Sequence, residues 1–210
     1  MTRRENRMCC RYFVELSPEL RPIVEEMNRS PLVRRFQETT AVLSSGEMRP
    51  TNVVPVIASS KAGKRAVFPM KWGFTVPGRP LQINARTETA GEKPMFREAW
   101  NAHRCIVPAS WYYEWEHRTR NDGKKETGDK FLIQPKDTPV VWMGGLYRIE
   151  EGLPVFVILT REAAEPIHFI HDRMPLILPE DRIDEWIRPD SPADRLAELA
   201  RTDMVFERAG

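Results

Sequence analysis

The chain has 210 residues, with 41% apolar side chains, 30% charged side chains and a formal net charge of +2. This length and composition predict one good-sized domain with a real hydrophobic core, and the weak positive charge allows a local basic groove without requiring one. No apolar run is long enough to cross a bilayer, no secretory signal follows the basic start, and three cysteines do not suggest a disulfide framework, so a reducing cytoplasm is the expected compartment.

The first predicted elements are two short helices, which open at Ser17 and Ser30, each before a proline. Apolar residues of the first helix share one face: Leu20, Ile23, Val24 and Met27. Six strands are predicted from β-branched and aromatic runs bounded by turn residues. They cover residues 51–58, 66–74, 104–107, 131–134, 140–149 and 155–159.

The remaining predicted elements are one loop and two helices. Residues 118–130 are polar and contain an Asp-Gly pair, which predicts an exposed hairpin loop. Residues 161–169 are predicted to form a helix capped by the preceding threonine. The last helix is expected to begin at Ser191, with Leu196 and Leu199 facing inward.

The order of these elements predicts the fold class. Strands dominate the middle of the chain and helices the flanks, without regular βαβ alternation. This favours an α+β fold in which a mostly antiparallel sheet curls into a partial barrel with flanking helices. No linker divides the chain, so residues 8–210 are predicted to form a single domain behind an N-terminal extension, residues 1–7.

Two adjacent cysteines, Cys9 and Cys10, directly follow Met8. One interpretation is that both are small buried hydrophobic residues. The other applies if translation starts at Met8 or if the chain is cleaved after it. Cys9 then carries a free amine, with a pKa of roughly 8, beside a thiol of pKa about 8.5. Such a pair attacks an aldehyde twice, forming first an imine and then a thiazolidine ring.

Two polar motifs in the middle of the chain are candidates for the same site. Asn84 and Arg86 lie in I-N-A-R-T-E-T, where they fit a site for a carbonyl and a phosphate or simply a polar turn. Glu114 lies among four aromatic residues in W-Y-Y-E-W. If it is buried, its pKa is expected to be raised, which suits a general acid, and if the strand alternates it faces water.

A third motif, residues 168–175, contains two of the four histidines. We interpret His171 as a proton shuttle and Arg173 as an anion clamp. A zinc site with His103 and Cys105 is not predicted, because the spacing matches neither a C-x-x-C pair nor an H-E-x-x-H helix.

Aromatic and cationic residues alternate along these motifs in a way that also suits single-stranded nucleic acid. Rings stack on bases and guanidinium groups bind phosphates, although tryptophans such as Trp72 belong to a core more often than to a binding surface. The residues concerned are Trp72, Phe74, Trp111 and Trp115, with Arg11, Lys71, Arg86 and Arg173. From this set we predict Arg11, Trp72, Arg86 and Arg173 as DNA contacts.

Seven short motifs together resemble one family. M-C-x-R-Y, T-N-V-V-P, W-G-F, I-N-A-R-x-E-T, W-Y-Y-E-W, I-L-T and I-H-D-R-M-P occur in the order and spacing of the SRAP (SOS response-associated peptidase) family. Each motif alone is weak, whereas seven in order are specific, and the resemblance covers residues 8–179.

The resemblance implies a sensor of abasic sites in single-stranded DNA. The mature N-terminal cysteine of such proteins bonds to the ring-opened sugar aldehyde and leaves a thiazolidine crosslink. By motif, that cysteine is Cys9, Asn84 orients it and the sugar, and Glu114 and His171 are catalytic. Arg11, Arg86 and Arg173 match phosphate-contacting positions. We expect a monomer without a cofactor or a metal, acting away from membranes on abasic DNA of the nucleoid.

Three departures from the family pattern set further expectations. Cys10 replaces the usual glycine and is expected to crowd the DNA backbone or to compete as a thiol. The extension must be absent from the mature site, through a start at Met8 or through self-cleavage. The chain ends at residues 204–210, where relatives continue with a strand, so that sheet edge is expected to be incomplete.

Two other functions remain open at the level of sequence. One is a cysteine peptidase that acts on other proteins through Cys9 and His171. The other is a non-catalytic protein that binds single-stranded DNA, with its covalent chemistry disabled by Cys10 or by the extension. Both differ from the leading hypothesis in how they would respond to an abasic oligonucleotide.

Overall fold

A computed structural model describes residues 10–38, 40–119 and 123–209 of the protein. The strands are β1 (Arg11–Val14), β2 (Gly46–Met48), β3 (Val53–Ser59), β4 (Arg65–Trp72), β5 (Asn84–Arg86), β6 (Arg104–Ala109), β7 (Trp111–Thr119), β8 (Lys125–Pro135), β9 (Val141–Glu150), β10 (Leu153–Glu162), β11 (Arg173–Pro175) and β12 (Met204–Arg208). The α-helices are α1 (Arg21–Asn28), α2 (Leu32–Gln37), α3 (Thr87–Ala90), α4 (Pro94–Ala102), α5 (Ile183–Trp186) and α6 (Ala193–Glu198).

Five strands close into a barrel in the order β10, β4, β3, β6, β9. The barrel closes because β9 pairs with β10 as well as with β6, and only the contact between β10 and β4 is parallel. Near the end of β10, β5 and β11 pair with it on its two sides. The α+β class with a mostly antiparallel sheet is confirmed, and the curled sheet goes further than a partial barrel.

The second sheet has the order β12, β8, β7, β1, β2. Ser110 joins the two sheets, because the chain passes through it from β6 of the barrel to β7. Its backbone N–H donates to the carbonyl of Phe13 at 2.8 Å, and its hydroxyl accepts from the N–H of Glu15 at 2.9 Å. These bonds fix the end of β1 at the junction between the two sheets.

The predicted helices at the N-terminus are confirmed as α1 and α2. In α1, Ile23, Val24 and Met27 are buried, as their spacing on one face predicts. In α6, Leu196 is buried, whereas Leu199 is 48% exposed. The prediction that Leu199 faces inward is wrong, because the helix ends at Glu198 and the helical periodicity stops with it.

The predicted helix at residues 161–169 is wrong. The strand β10 continues through Glu162, whose backbone pairs with Arg173 of β11, and only Glu165–Ile167 forms a short 3-10 helix. Pairing with a distant strand here overrides the local helical pattern.

The last strand and the predicted hairpin both belong to the second sheet. Residues 204–208 form β12, which pairs with β8 over five positions. The predicted hairpin is present as β7 and β8, although both strands extend into the polar segment. Residues 120–122 of its loop lie outside the described residues, as does Cys9.

Candidate active site

Glu114 is buried on β7, beside the chain segment that follows Cys9. Arg11 pairs with Tyr113 across β1 and β7, which sets Cys10 beside Glu114. The Glu114 side chain is 3% exposed and accepts a hydrogen bond from the N–H of Trp115 at 3.2 Å. Burial, followed by the negative charge of Glu114, raises the pKa of the Cys10 thiol. Cys10 is therefore protonated near neutral pH and a poor nucleophile, which argues against competition with Cys9.

Asn84 and Arg86 lie on β5, where it pairs with the end of β10. Asn84 is opposite Ile158 and Arg86 is opposite Thr160. Because side chains alternate along a strand, Asn84 and Arg86 point to the same side of β5. Asn84 is half-buried, whereas Arg86 is exposed and has no ion-pair partner within the described ranges. Arg86 is consequently available to an anion.

His171 is buried at the start of β11 and contacts a second histidine, His117. The two ring centroids are 4.1 Å apart, with 58° between the ring planes. The backbone N–H of His117 donates to the carbonyl of Ile170 at 3.0 Å, which holds this loop against β7. His117 lies three positions after Glu114 on β7, and the pairing of β7 with β8 shifts register between Trp115 and His117, where one residue of β7 faces two of β8.

The protonation state of His171 follows from its burial. Its side chain is 6% exposed, and burial, followed by the charge of His117, lowers its pKa to about 4. At neutral pH the imidazole is uncharged, so its Nδ1 accepts the backbone N–H of Arg173 at 2.9 Å. The nearby carboxylate of Asp172, also 2.9 Å from Nδ1, is then a polar neighbour rather than an ion-pair partner. This arrangement puts the proton on Nε2, which has no hydrogen-bond partner among the described residues.

Arg173 is held by Glu88 and by β10. Its guanidinium donates to the two carboxylate oxygens of Glu88 at 2.6 and 2.8 Å and to the carbonyl of Thr160 at 2.7 Å. The hydrogen bonds from Arg173 lower the pKa of Glu88. Only 17% of the Arg173 side chain is exposed, so a phosphate that binds it must compete with Glu88.

The remaining two predicted DNA contacts differ from each other. Arg11 is 35% exposed, donates to Glu47 at 3.0 Å and lies 5.4 Å from the centre of the Trp115 ring. Trp72 is completely buried, contacts the ring of Phe156, and donates its indole N–H to the carbonyl of Ile83 at 2.9 Å. The prediction that Trp72 contacts DNA is therefore corrected. Trp72 is a core residue, and its indole N–H holds the residue directly before β5.

The predicted site residues lie in two groups, one on each sheet. The barrel side supplies Asn84, Arg86 and Arg173 near the end of β10, and the second sheet supplies Cys10, Arg11, Glu114 and His117. The loop that ends at His171 connects the two sides. Sequence reasoning missed Glu88 and His117. The motif I-N-A-R-T-E-T contains Glu88 and was a signal for it, whereas no sequence signal indicated His117.

Within the part of the chain that the structure describes, no group of three or more His, Cys, Asp or Glu side chains is placed to hold a metal ion. Cys105, considered with His103, is fully buried in the core, and burial raises the pKa of its thiol strongly. Among the described residues, no helix is both long enough and apolar enough to span a membrane.

Comparison with known proteins agrees with this architecture. The chain is 36% identical over 160 residues to the abasic site processing protein YoaM of Bacillus subtilis, which covers 69% of this chain and 68% of the relative. It is 32% identical over 203 residues to the abasic site processing protein YoqW of the same organism, covering 87% of this chain and 81% of the relative.

The fold has a close counterpart among solved structures. A crystal structure of a protein from Bacteroides thetaiotaomicron superposes with a TM-score of 0.72 at 23% identity, covering 96% of this chain and 92% of that protein. The sequence pattern described as SOS response associated peptidase (SRAP) matches residues 8–207. The protein therefore belongs to the SRAP family.

Proposed function

We propose that this protein processes abasic sites in single-stranded DNA by forming a covalent bond through Cys9. One observation carries the proposal: a buried carboxylate, Glu114, lies beside the residue that follows Cys9. The names of the relatives, abasic site processing proteins, support the same substrate. Single-stranded DNA is favoured because the partly exposed guanidinium of Arg11 lies over the ring of Trp115, a pairing of cation and aromatic ring that suits phosphates and bases.

The reaction requires Cys9 to carry a free amine. The amine adds to the aldehyde carbon of the ring-opened sugar, and the resulting carbinolamine loses water to give an imine. The Cys9 thiol then adds to the imine carbon, its proton passes to the nitrogen, and a five-membered thiazolidine closes. One C–N bond and one C–S bond form, one water leaves, and neither an oxidant nor a reductant is needed.

The described side chains supply the proton transfers. Glu114 is placed to donate a proton when the sugar ring opens and when the carbinolamine loses water. The Nε2 proton of neutral His171 can donate to a sugar oxygen, and Asn84, at the edge of the barrel, can orient the open-chain sugar. Exposed Arg86 is the strongest candidate for a phosphate contact, followed by Arg11, whereas Glu88 already neutralises Arg173.

Exposure of the Cys9 amine is part of the proposal. If translation begins at Met8, ordinary removal of that methionine exposes the amine. If it begins at Met1, the Cys9 thiol attacks the carbonyl of Met8, the acyl group passes from nitrogen to sulfur, and water hydrolyses the thioester. This second route releases residues 1–8 and fits the peptidase in the family name. Glu114 or His171 would assist its proton transfers.

The test combines an intact mass with a crosslinking assay. The purified protein is expected to begin at Cys9 and to give a covalent, shifted band with a single-stranded oligonucleotide that contains one abasic site. Cys9→Ala should abolish this band, while the matched variant Cys10→Ala should retain it. A stable band from Cys9→Ala would overturn the assignment, and so would reversible binding alone or cleavage of peptides without DNA.

A further inference from the structure

Three phenylalanines form an aromatic cluster at the edge of the second sheet. The ring of Phe131 lies 5.8 Å from the rings of Phe169 and Phe206, and these two are 5.1 Å from each other. All three contacts are edge-to-face, with 67° to 85° between planes. Phe131 is 7% exposed and forms the base, whereas Phe169 is 51% exposed and Phe206 is 39% exposed. We call Phe131, Phe169 and Phe206 the aromatic platform.

The platform adjoins the candidate active site on two sides. Phe131 of β8 is the cross-strand partner of Glu114 on β7, and directly opposed residues lie only about 4.5–5.5 Å apart. Phe169 precedes His171 by two residues in the same loop. The bond between His117 N–H and the Ile170 carbonyl fixes that loop to β7. The platform therefore lies beside the candidate active site, where it can meet a DNA strand that leaves on this side.

The chemistry of the platform favours a flat aromatic ligand. Edge-to-face packing leaves the face of a ring open, and a nucleobase offers the π-surface that stacks on such a face. On β12, Arg208 lies on the same side as Phe206, is 69% exposed and pairs with Asp129 at 2.7 Å. Its guanidinium gives this side of the sheet a cation for a phosphate, which would compete with Asp129.

We propose that Phe169 and Phe206 stack an unpaired base adjacent to the abasic nucleotide. This proposal rests on the function proposed above and adds a base-binding subsite to it. Stacking is tolerant of sequence because every base has a π-face. The ligand is thus a nucleobase of single-stranded DNA rather than a particular sequence. By holding the neighbouring base, the platform positions the sugar that lacks one beside Glu114 and His171.

The test separates stacking from covalent chemistry. The probe is a single-stranded oligonucleotide with a tetrahydrofuran abasic analogue, which has no aldehyde and cannot crosslink, and with 2-aminopurine on one or the other side of it. Binding to the wild-type protein should quench the 2-aminopurine on one side. Phe169→Ala and Phe206→Ala should each remove the quenching and weaken binding by about 5- to 150-fold. Because stacking is not ionic, the slope of log K against log salt should not change.

Conservative and remote variants complete the design. Phe169→Trp should restore quenching, whereas Phe169→Leu, which keeps apolar bulk, should not. Ile149→Ala removes an exposed side chain, 61% accessible, at the far end of the barrel and should leave binding unchanged. Sedimentation of each variant tests whether the platform instead joins two copies of the chain.

Each outcome of these measurements either supports or overturns the proposal that the aromatic platform stacks a base. Absence of quenching in the wild type overturns the platform, as do Phe variants that bind like the wild type or that alter self-association instead of DNA binding. A wild-type protein that crosslinks aldehyde-containing DNA but fails this test retains the proposed function without the platform. One that passes this test but never crosslinks retains the base-binding subsite and loses the covalent function.

Discussion

Arg173 and Glu88 form a bidentate ion pair, with N–O distances of 2.6 and 2.8 Å, that ties β11 to α3. The guanidinium also donates to the Thr160 carbonyl, so three acceptors fix its position. The pair has two opposing consequences for DNA binding. Glu88 aligns the guanidinium, and it also cancels the positive charge that a phosphate would use.

The first prediction concerns this cancellation. Glu88→Gln should strengthen binding of single-stranded DNA and steepen the salt slope by about 0.7, because Arg173 regains one uncompensated charge. Arg173→Ala should therefore weaken binding more in the Glu88→Gln background than in the wild type. Fluorescence anisotropy over a salt series measures both, as a double-mutant cycle.

The control for this cycle is Glu25→Gln. It changes net charge equally but lies on α1, where its carboxylate pairs with Arg29 at 3.6 Å. If Glu88→Gln weakens binding as much as Arg173→Ala does, the carboxylate acts by aligning the guanidinium, and charge cancellation is the wrong account.

The second prediction concerns Arg86. Its guanidinium is exposed beside the end of β10 without an ion-pair partner among the described residues, so a phosphate gains its full charge. Arg86→Ala should weaken binding and reduce the salt slope by about 0.7. Arg29→Ala provides the comparison, since Arg29 is 78% exposed and directly follows α1, which carries no predicted site residue. Equal effects from both variants would mean that DNA responds only to net charge.

Local patterns in the sequence predicted much of the fold. Runs of β-branched residues gave all six expected strands, and the Ser-Pro openings gave α1 and α2. Long-range pairing accounts for what they missed. The polar run at 161–169 joins a strand because β11 lies beside it, and barrel closure depends on the contact of β9 with β10. Neither partner is visible in a window of neighbouring residues.

The predicted site residues divide in the same way, into those that local patterns could indicate and those that depend on contacts between distant segments. Motif spacing indicated Asn84, Arg86 and Arg173, whereas the aromatic setting of Glu114 left burial and exposure both open, and the structure buries it. Trp72 carries no sequence mark that distinguishes a core indole from an exposed one, and the structure buries it completely. The contact of His117 with His171 accompanies a backbone hydrogen bond between distant segments, from the N–H of His117 to the carbonyl of Ile170. Composition and spacing do not encode such a contact.

The third prediction concerns pH and His171. Its pKa is about 4 in the folded protein and near 6.5 when unfolded, so the unfolded chain binds more protons between these values. The contribution of neutral His171 to the free energy of unfolding is fully present above about pH 6.5. As pH falls toward 4, roughly 3 kcal/mol of it is lost.

Urea unfolding at a series of pH values measures this loss. His171→Gln should flatten the dependence between pH 6.5 and 4, whereas His168→Gln, which removes an exposed histidine from the same loop, should not. An identical slope in His171→Gln and the wild type would show that other groups, such as Glu88, carry the dependence.

The fourth prediction tests whether Trp72 is a core residue or a DNA contact. Trp72→Phe removes the hydrogen bond to the Ile83 carbonyl and part of the packed volume, which should cost about 1–3 kcal/mol of unfolding free energy. Under conditions where the variant is folded, its affinity for single-stranded DNA should equal that of the wild type. Thermal unfolding and anisotropy measure the two quantities, and a selective loss of affinity with unchanged stability would restore Trp72 as a DNA contact.

The last prediction joins the extension and Glu114. A protein that retains residues 1–8, because a substitution blocks cleavage after Met8, should not crosslink abasic DNA. The nitrogen of an internal Cys9 is part of a peptide bond, where resonance ties up its lone pair, so no imine can form. The thiol alone gives only a labile hemithioacetal. The same chain started at Met8 should react once the methionine is lost, as an intact mass will verify.

In that processed form, Glu114→Gln should slow crosslinking, because opening of the sugar and loss of water from the carbinolamine both require a proton donor. General acid–base catalysis of this kind is worth roughly 10² to 10⁴ in rate. The deficit should shrink as pH is lowered, since solvent then supplies the proton, whereas Glu116→Gln, two residues along β7, should react like the wild type. Rapid crosslinking by protein that mass measurement shows to be unprocessed would overturn the mechanism through the N-terminal amine and leave Glu114 without this task.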